Sequence, residues 1–171
     1  MAQRTDIFDL GRLSLHAGEG RRIDTCVTVD PLEFGGQKYE PDHEVPVRLD
    51  VSRTMGGYAL RLRFSVQLDG PCMRCLEAAD STVEVDAREV DQPGSGDDDE
   101  LSSPYVTRDE LDLRSWSRDA LALALPTQIV CMEECCGLCP VCGENLNAAP
   151  DHQHESAPDP RWAALRELKF E

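Results

Sequence analysis

The sequence has few aromatic residues, few positive charges and no long apolar run. Phe, Trp and Tyr make up only 5% of the 171 residues, so a hydrophobic core must be mainly aliphatic. The 17 Lys and Arg residues stand against 33 Asp and Glu residues, which gives a formal net charge of -16 at pH 7. A surface of that sign repels phosphate backbones at long range, so broad, sequence-independent RNA binding is not expected. The charge favours basic protein partners instead.

Membrane insertion and export are not expected either. No apolar stretch approaches the length of a membrane span, and the first residues, Met-Ala-Gln-Arg-Thr-Asp, lack the apolar segment of a signal peptide. We therefore expect a cytoplasmic protein with no membrane partner. Because the cytosol is reducing, the eight cysteines are poor candidates for structural disulfides, and metal ligation explains them better.

Alternating apolar and polar residues predict strands in the first half of the chain. The clearest pattern runs from Tyr58 to Leu68, where every second residue is apolar. Shorter stretches follow the same pattern, at 23–29, 45–51 and 83–87. Gly56 and Gly57 precede the long strand and predict a hairpin turn. This half is therefore predicted to be an antiparallel sheet with one face in solvent.

The second half is predicted to contain an acidic loop and two helices. Residues 91–103 include Asp97-Asp98-Asp99-Glu100 and cannot bury apolar area, so they form a flexible loop that serves either as a solvated linker or as a contact for a basic partner. Helical spacing predicts one helix before Pro126, with the buried stripe Leu113, Trp116, Ala120 and Leu123. Asp159 and Pro160 predict the start of a C-terminal helix, with the stripe Trp162, Leu165 and Leu168.

Seven of the eight cysteines lie in two clusters along the sequence. Two cysteines separated by two residues can bind one ion where the backbone turns tightly, and a following glycine such as Gly143 relieves the crowding around the sulfur atoms. Zinc requires four tetrahedral ligands, so the candidate ligands suffice for one or two Zn²⁺ ions. These candidates are Cys72, Cys75, Cys131, Cys135, Cys139, Cys142, His152 and His154.

The ligands can be divided between sites in more than one way. We favour a first site that joins the sheet to the segment after the helix, made of Cys72, Cys75, Cys131 and Cys135. A second site would close a short loop near the C-terminus, from Cys139, Cys142, His152 and His154. The alternative is a single site that leaves the first pair free, made of Cys131, Cys135, Cys139 and Cys142. Cys26 and Cys136 are interpreted as unliganded.

The predicted fold class is α+β: an antiparallel β-sheet with one central helix, a cysteine-rich zinc-binding segment and a C-terminal helix. Three parts are expected along the chain. They are an N-terminal arm at 1–22, an α+β core at 23–130 that includes the acidic loop at 91–103, and the zinc-binding segment with the C-terminal helix at 131–171.

An enzyme is not indicated by the sequence. The Cys72-x-x-Cys75 pair could be a thiol oxidoreductase motif, but that motif normally opens a helix after a strand, and here strands flank it on both sides. Zinc hydrolysis requires an open coordination position and a nearby general base. The predicted ligand sets leave no open position, so we expect no catalysis and no small-molecule substrate.

Several motifs together resemble those of the YceD family. The first is Cys-x-Arg-Cys-Leu at 72–76, and the most specific is Gly-Leu-Cys-Pro-x-Cys-Gly-x-Asn-Leu-Asn at 137–147. Asp-Pro-Arg-Trp-Ala follows at 159–163, and the similarity extends from about Val45 onward. Many relatives carry Cys-x-Cys where this chain has His152-x-His154, an exchange that keeps residues able to bind zinc.

The resemblance implies a non-catalytic role in producing or maintaining large-subunit ribosomal RNA during ribosome assembly. The implied partner is a precursor of the large ribosomal subunit. Basic ribosomal proteins suit the acidic chain best as contacts, and Arg61 and Arg63 on the long strand are candidate contacts for ribosomal RNA. The alternative is a metal-stabilised interaction adaptor unrelated to ribosomes, with the acidic loop as its contact.

Overall fold

The fold is mostly antiparallel β-sheet with one helix among the residues described. The computed structural model describes residues 5–92, 94 and 101–154. The strands are β1 (Ile7–Asp9), β2 (Gly20–Val27), β3 (Leu32–Phe34), β4 (Gln37–Pro41), β5 (Val45–Arg53), β6 (Tyr58–Pro71), β7 (Ala78–Asp91), β8 (Val106–Thr107) and β9 (Glu110–Asp112). The helix is α1 (Leu113–Ala124), and a single 3-10 turn covers Gly11–Leu13.

Strand β6 is the centre of the larger sheet. Its residues pair with β5 on one side and with β7 on the other, so that Leu62 lies opposite both Leu49 and Ala87. The order of the sheet is β2-β5-β6-β4-β3, with β7 on the second side of β6. All of these pairings are antiparallel. The predicted antiparallel sheet is therefore confirmed.

The alternation along β6 divides the sheet into a buried face and a solvated face. Residues from Tyr58 to Leu68 at every second position are at most 5% exposed and form the main core together with the buried residues of β5 and β7. Two of the intervening side chains are arginines that pair with carboxylates on the neighbouring strands. Arg61 binds Asp86 of β7, and Arg63 binds Asp50 of β5.

The predicted glycine turn connects β5 to β6. The Thr54 N–H donates to the Gly57 carbonyl at 2.9 Å, and the Gly57 N–H donates to the Thr54 hydroxyl at 3.0 Å. The strands on either side are longer than the sequence pattern predicts. Strand β7, which follows β6, is also longer and spans Ala78–Asp91, because polar residues outside the alternating stretch still pair with β6.

A smaller sheet, β1-β9-β8, leads into helix α1. The Asp112 carboxylate caps the helix, because it accepts the Ser115 N–H at 2.9 Å. The helix packs on β7 and buries Trp116 and Ala120 as the helical spacing predicts. Leu123 was expected in the same stripe, but that prediction is wrong, since Leu123 is 89% exposed. Leu121 takes the buried position instead.

The structure describes most of the predicted N-terminal arm, the two ends of the acidic loop and no part of the predicted C-terminal helix. Residues 5–22 include β1, which pairs with β9, and the start of β2, so these two parts of the predicted arm belong to the sheets. The ends of the acidic loop lie together, since the Gln92 N–H donates to the Leu101 carbonyl at 2.7 Å. The predicted C-terminal helix lies outside the described residues. Within the described part of the chain, no helix has the length and apolarity required to span a membrane.

Candidate metal centres

The turn from β6 to β7 carries the first cysteine pair. The Cys72 N–H donates to the Glu77 carbonyl at 2.7 Å, and the Leu76 N–H donates to the Cys72 carbonyl at 3.0 Å. Leu76 takes a left-handed conformation with φ 63°, which tightens the turn. Cys72 is 0% exposed and Cys75 is 3% exposed. Both cysteines are therefore part of the core at the end of the sheet.

The segment after α1 carries the second cysteine pair to the same place. Ile129 is buried, and its carbonyl accepts the Met73 N–H at 2.8 Å. Arg74 adds two further contacts, from Nε to the Gln128 side chain at 3.1 Å and from a terminal nitrogen to the Cys135 carbonyl at 3.0 Å. These bonds hold the segment against the turn, and Cys131 and Cys135 face the first pair.

Four sulfur atoms meet at this point, and we call Cys72, Cys75, Cys131 and Cys135 the buried cluster. All four sulfur atoms lie within 4.8 Å of one another. The Cys72 and Cys135 sulfurs are 3.7 Å apart, and the Cys75 and Cys131 sulfurs are 3.5 Å apart. A tetrahedral zinc ion with bonds of about 2.3 Å to sulfur has edges of roughly 3.8 Å. The buried cluster thus fits a zinc ion.

The thiols of the buried cluster differ in acidity. Burial acts to raise the pKa of Cys72, but nearby backbone N–H donors, that of Cys75 first, outweigh it and lower the pKa to about 6. Burial and the neighbouring Cys75 thiol raise the pKa of Cys131 to about 12. Four thiolates packed this closely repel one another, so a divalent cation is required for all of them to ionise together.

A short hairpin follows Cys135 and holds the next cysteine pair at its tip. Leu138 forms a β-bridge with Asn145, the Cys139 N–H donates to the Glu144 carbonyl at 2.8 Å, and the Gly143 N–H donates to the Cys139 carbonyl at 2.8 Å. Gly143 has φ 78°, a conformation that a side chain would strain. The turn therefore brings Cys139 and Cys142 to one side of the tip.

The two histidines return to this tip, and we call Cys139, Cys142, His152 and His154 the exposed cluster. Their ligand atoms all lie within 4.8 Å of one another. The Cys142 sulfur is 3.1 Å from His152 Nε2 and 3.2 Å from His154 Nε2. The two Nε2 atoms are 2.8 Å apart, somewhat less than the roughly 3.3 Å edge expected around zinc, so small shifts of the rings suffice to fit the ion.

The exposed cluster also has one thiol, that of Cys139, whose pKa is lowered. Backbone N–H groups of Cys142 and Val141 point at the Cys139 sulfur and lower its pKa to about 6. Cys139 is buried, whereas Cys142 is exposed. Two sulfur and two imidazole donors in this arrangement form a donor set that zinc binds readily.

The structure brings together the two groups that the sequence analysis favoured. The alternative group, which combines Cys131 and Cys135 with Cys139 and Cys142, does not appear among the four-ligand sets of the described residues. Cys26 is half-buried on β2, and Cys136 is exposed beside Cys135. Neither belongs to a cluster of the described residues.

Arg61 and Arg63, the candidate RNA contacts, lie on the solvated face of the sheet. Two bonds join Arg61 to Asp86, the longer of them 2.7 Å, and Arg63 lies 2.5 Å from Asp50. Asp50 also accepts a bond from Arg22 at 2.7 Å. Each guanidinium thus has a carboxylate partner, and the positive potential of this face is correspondingly weakened.

Sequence reasoning missed the groups that support the sulfur atoms. The Arg74 N–H lies 3.4 Å from the Cys72 sulfur, and the Asn147 amide donates to the Cys135 sulfur at 3.3 Å. That amide is the main reason that the pKa of Cys135 is lowered. The position of Arg74 between the cysteines of the first pair could have indicated its role, whereas no sequence signal identifies the target of Asn147.

Both clusters lie in a part of the chain that is similar to a known protein family. A family model described as "Large ribosomal RNA subunit accumulation protein YceD" matches residues 60–169, which is more than half of the chain. The chain belongs to the YceD family. The matched range includes all the residues of the buried and exposed clusters. The YceD resemblance found in the sequence is therefore confirmed.

Two related mycobacterial proteins are uncharacterised. An uncharacterised protein of Mycobacterium tuberculosis is 40% identical over 103 residues, covering 58% of this chain and 49% of the relative. An uncharacterised protein of Mycobacterium leprae is 33% identical over 101 residues, covering 57% of this chain and 46% of the relative. The chain thus spans about half the length of the curated relatives it matches. No solved structure matches the chain.

Proposed function

We propose that this YceD-family chain is a non-catalytic, cytoplasmic zinc-binding factor that supports the accumulation of large-subunit ribosomal RNA during ribosome assembly. The observation that carries the proposal is the convergence of two four-ligand clusters in a chain that belongs to this family. The family description supplies the link to the large ribosomal subunit. Metal binding at the two clusters would stabilise the folded chain that carries out this role.

The proposed zinc ions join parts of the chain that are distant in the sequence or lie in a loop. The buried cluster joins the β6–β7 turn to the segment after α1, and the exposed cluster closes the loop from Cys142 to His154. Binding energy at such sites contributes directly to folding, because the unfolded chain does not hold the ligands together. With four protein ligands at each ion, no coordination position is open to substrate, which supports a structural role.

The turn geometry argues against the alternative of a thiol oxidoreductase. A redox Cys-x-x-Cys pair lies at the start of a helix and exposes a reactive thiol. Cys72 instead lies between two strands and is 0% exposed. This arrangement supports the structural assignment of the first cysteine pair.

The proposed partners follow from charge. A net charge of -16 attracts basic ribosomal proteins of the large-subunit precursor and opposes extensive contact with the RNA backbone. Arg61 and Arg63 remain the proposed contact for ribosomal RNA, but their bonds to Asp86 and Asp50 would have to be exchanged for bonds to phosphate. Replacing both arginines with glutamate should therefore weaken association with the precursor only if this face is the contact.

A complementation experiment tests the proposal. Cells that lack the gene should contain less large-subunit ribosomal RNA relative to small-subunit RNA, and the intact chain should restore the ratio. A chain with Cys72→Ser and Cys142→Ser should not restore it, whereas Cys136→Ser should, because Cys136 belongs to neither cluster.

Purification of the tagged chain provides an independent test. Large-subunit proteins and ribosomal RNA in the bound fraction support the assembly role. If the RNA ratio is normal without the gene and the bound fraction contains no ribosomal component, the assembly role is wrong, and the interaction adaptor becomes the better explanation.

A further inference from the structure

Asn147 ends the hairpin that carries Cys139 and Cys142, and it forms hydrogen bonds with Cys135, Cys136 and Asn145. Its side-chain nitrogen donates to the Cys135 sulfur at 3.3 Å, and its side-chain oxygen accepts the Cys136 N–H at 2.8 Å. Its own N–H donates to the Asn145 side chain at 3.0 Å. One residue thus contacts both a sulfur of the buried cluster and the backbone beside it.

The hairpin at 137–147 connects this residue to the exposed cluster. The Leu146 N–H donates to the Gly137 carbonyl at 3.0 Å, next to Asn147, and the bridge between Leu138 and Asn145 continues toward the tip. Cys139 and Cys142 occupy that tip. Backbone hydrogen bonds therefore join the base of the hairpin to its tip.

Two backbone hydrogen bonds also fold the segment that joins Asn147 to the histidines. The Ala148 N–H donates to the Asn145 carbonyl at 3.1 Å, and the His152 N–H donates to the Ala149 carbonyl at 3.0 Å. These turns restrict the conformations of the short segment between Asn147 and His152. Ligation of the histidines would fix both ends of this segment.

We infer that Asn147 is a positioning residue that couples the two clusters, so that an ion in the exposed cluster strengthens metal binding in the buried one. The inference rests on the proposed zinc-binding function. Hydrogen bonds to a ligating sulfur orient it and stabilise its negative charge. Closing the exposed cluster fixes the hairpin that carries the Asn147 amide, and the coupling is reciprocal because it is a difference in binding free energy.

The inference predicts a specific pattern of zinc affinities at the buried cluster. Replacing Asn147 with Ala should weaken zinc binding there by about tenfold, the lower end of the range for residues that support a ligand. Replacing His152 and His154 with Ala removes the exposed site and should weaken the buried site by roughly fivefold. When Asn147 is already Ala, the same removal should have no further effect.

Two substitutions separate the sulfur contact from the structural role of the hairpin. Asn147→Asp keeps an oxygen for the Cys136 N–H but replaces the sulfur donor with a negative charge, so it should weaken the buried site more than Asn147→Ala. Glu144→Gln is the matched control, because only the backbone of this exposed residue takes part in the hairpin. It should leave both affinities unchanged.

Cobalt and zinc titrations of the full chain measure these effects. Cobalt bound by four sulfurs absorbs differently from cobalt bound by two sulfurs and two imidazoles, so each cluster can be followed separately, and competition with a chelator gives the zinc affinities. Equal affinity of the buried cluster with and without the exposed site would overturn the coupling while leaving the proposed function intact. A wild-type chain that binds neither metal would overturn both.

Discussion

The sulfur atoms of Cys72 and Cys135 lie 3.7 Å apart although 63 positions separate the two residues in the sequence. The intervening chain contains β7, the ends of the acidic loop, strands β8 and β9 of the small sheet, and α1. A cross-link that closes a loop of this length removes considerable freedom from the unfolded chain. An ion bound here therefore stabilises the packing of the segment after α1 against the end of the large sheet.

We predict that the purified, reduced chain contains two zinc ions. Cys72→Ser should remove the ion of the buried cluster, and Cys142→Ser should remove that of the exposed cluster, because each substitution leaves only three of the four ligands. Loss of the buried ion should lower the melting temperature more, since its ligands lie in the core. Elemental analysis with thermal unfolding of the same samples measures both effects.

Two cysteines provide matched controls for this prediction. Cys26 and Cys136 lie outside both clusters, so their replacement by Ser should change neither zinc content nor melting temperature appreciably. Cys136 is especially informative because it is the sequence neighbour of Cys135. A loss of zinc from Cys136→Ser, with full retention by Cys72→Ser, would show that the ligands are assigned incorrectly.

The two sites should release their ions at different rates. Cys142 is exposed and the histidines lie near the surface, so a chelator can reach that ion directly. The sulfurs of Cys72 and Cys135 are buried, and access to an ion between them requires local unfolding. Stopped-flow mixing with a coloured chelator should give two phases, of which Cys142→Ser removes the faster. A single phase for both ions would contradict the difference in burial.

The sequence analysis succeeded where one local pattern decides the structure. Strict alternation from Tyr58 to Leu68 predicts β6 correctly because one face of the strand is buried throughout. The favoured grouping of the cysteines also matches the two clusters of the described residues, although spacing alone left another division open. Leu123 was placed incorrectly because spacings of three and four residues are both helical, and the buried face of α1 includes Leu121 and not Leu123.

Other features depend on contacts between distant residues. Strand β1 has only three residues, and its partner β9 lies more than a hundred positions away, so neither shows a convincing pattern by itself. Strands β3 and β4 were missed because they have only three and five residues and include charged residues, so neither shows a clear alternation. The amide of Asn147 reaches a sulfur only after the hairpin has formed, and no spacing rule predicts that contact.

Asp50 should contribute to stability at neutral pH but not in acid. The hydrogen bond from Arg22 lowers the pKa of this carboxyl, burial opposes the shift, and Arg63 adds to it. Because the folded pKa is lowered, the contribution is fully present above the unfolded value of about 3.9 and is lost as the pH falls through the folded pKa.

Replacing Asp50 with Asn tests this contribution. The variant should lose about 1 kcal/mol at pH 7, and the difference from wild type should disappear as the pH falls below about 4. Denaturant unfolding of both proteins at each pH gives the difference directly. Asp24→Asn is the control, because Asp24 is 67% exposed and has one arginine partner, so its effect should be smaller. A loss that is the same at every pH would exclude the charge as its cause.

The two glycines of the β5–β6 turn should respond very differently to alanine. A Cβ atom at Gly57 would lie 1.8 Å from the Asp91 carbonyl oxygen, whereas one at Gly56 would have its nearest neighbour, the Gln92 Cβ, at 3.9 Å. Asp91 ends β7 and pairs with Tyr58, so Gly57→Ala must separate the ends of two core strands. We expect a loss of about 3 kcal/mol for Gly57→Ala, at the upper end of the cost of overpacking.

Gly56→Ala is the control that tests whether the close contact of residue 57 with the Asp91 backbone causes the loss of stability. Gly56→Ala changes the same turn, adds the same methyl group and should alter stability by less than about 0.5 kcal/mol. Denaturant unfolding of both zinc-loaded variants, with zinc content measured in parallel, distinguishes damage to the turn from loss of metal. Equal destabilisation by the two substitutions would mean that glycine flexibility, and not the contact with the Asp91 backbone, determines the requirement at this turn.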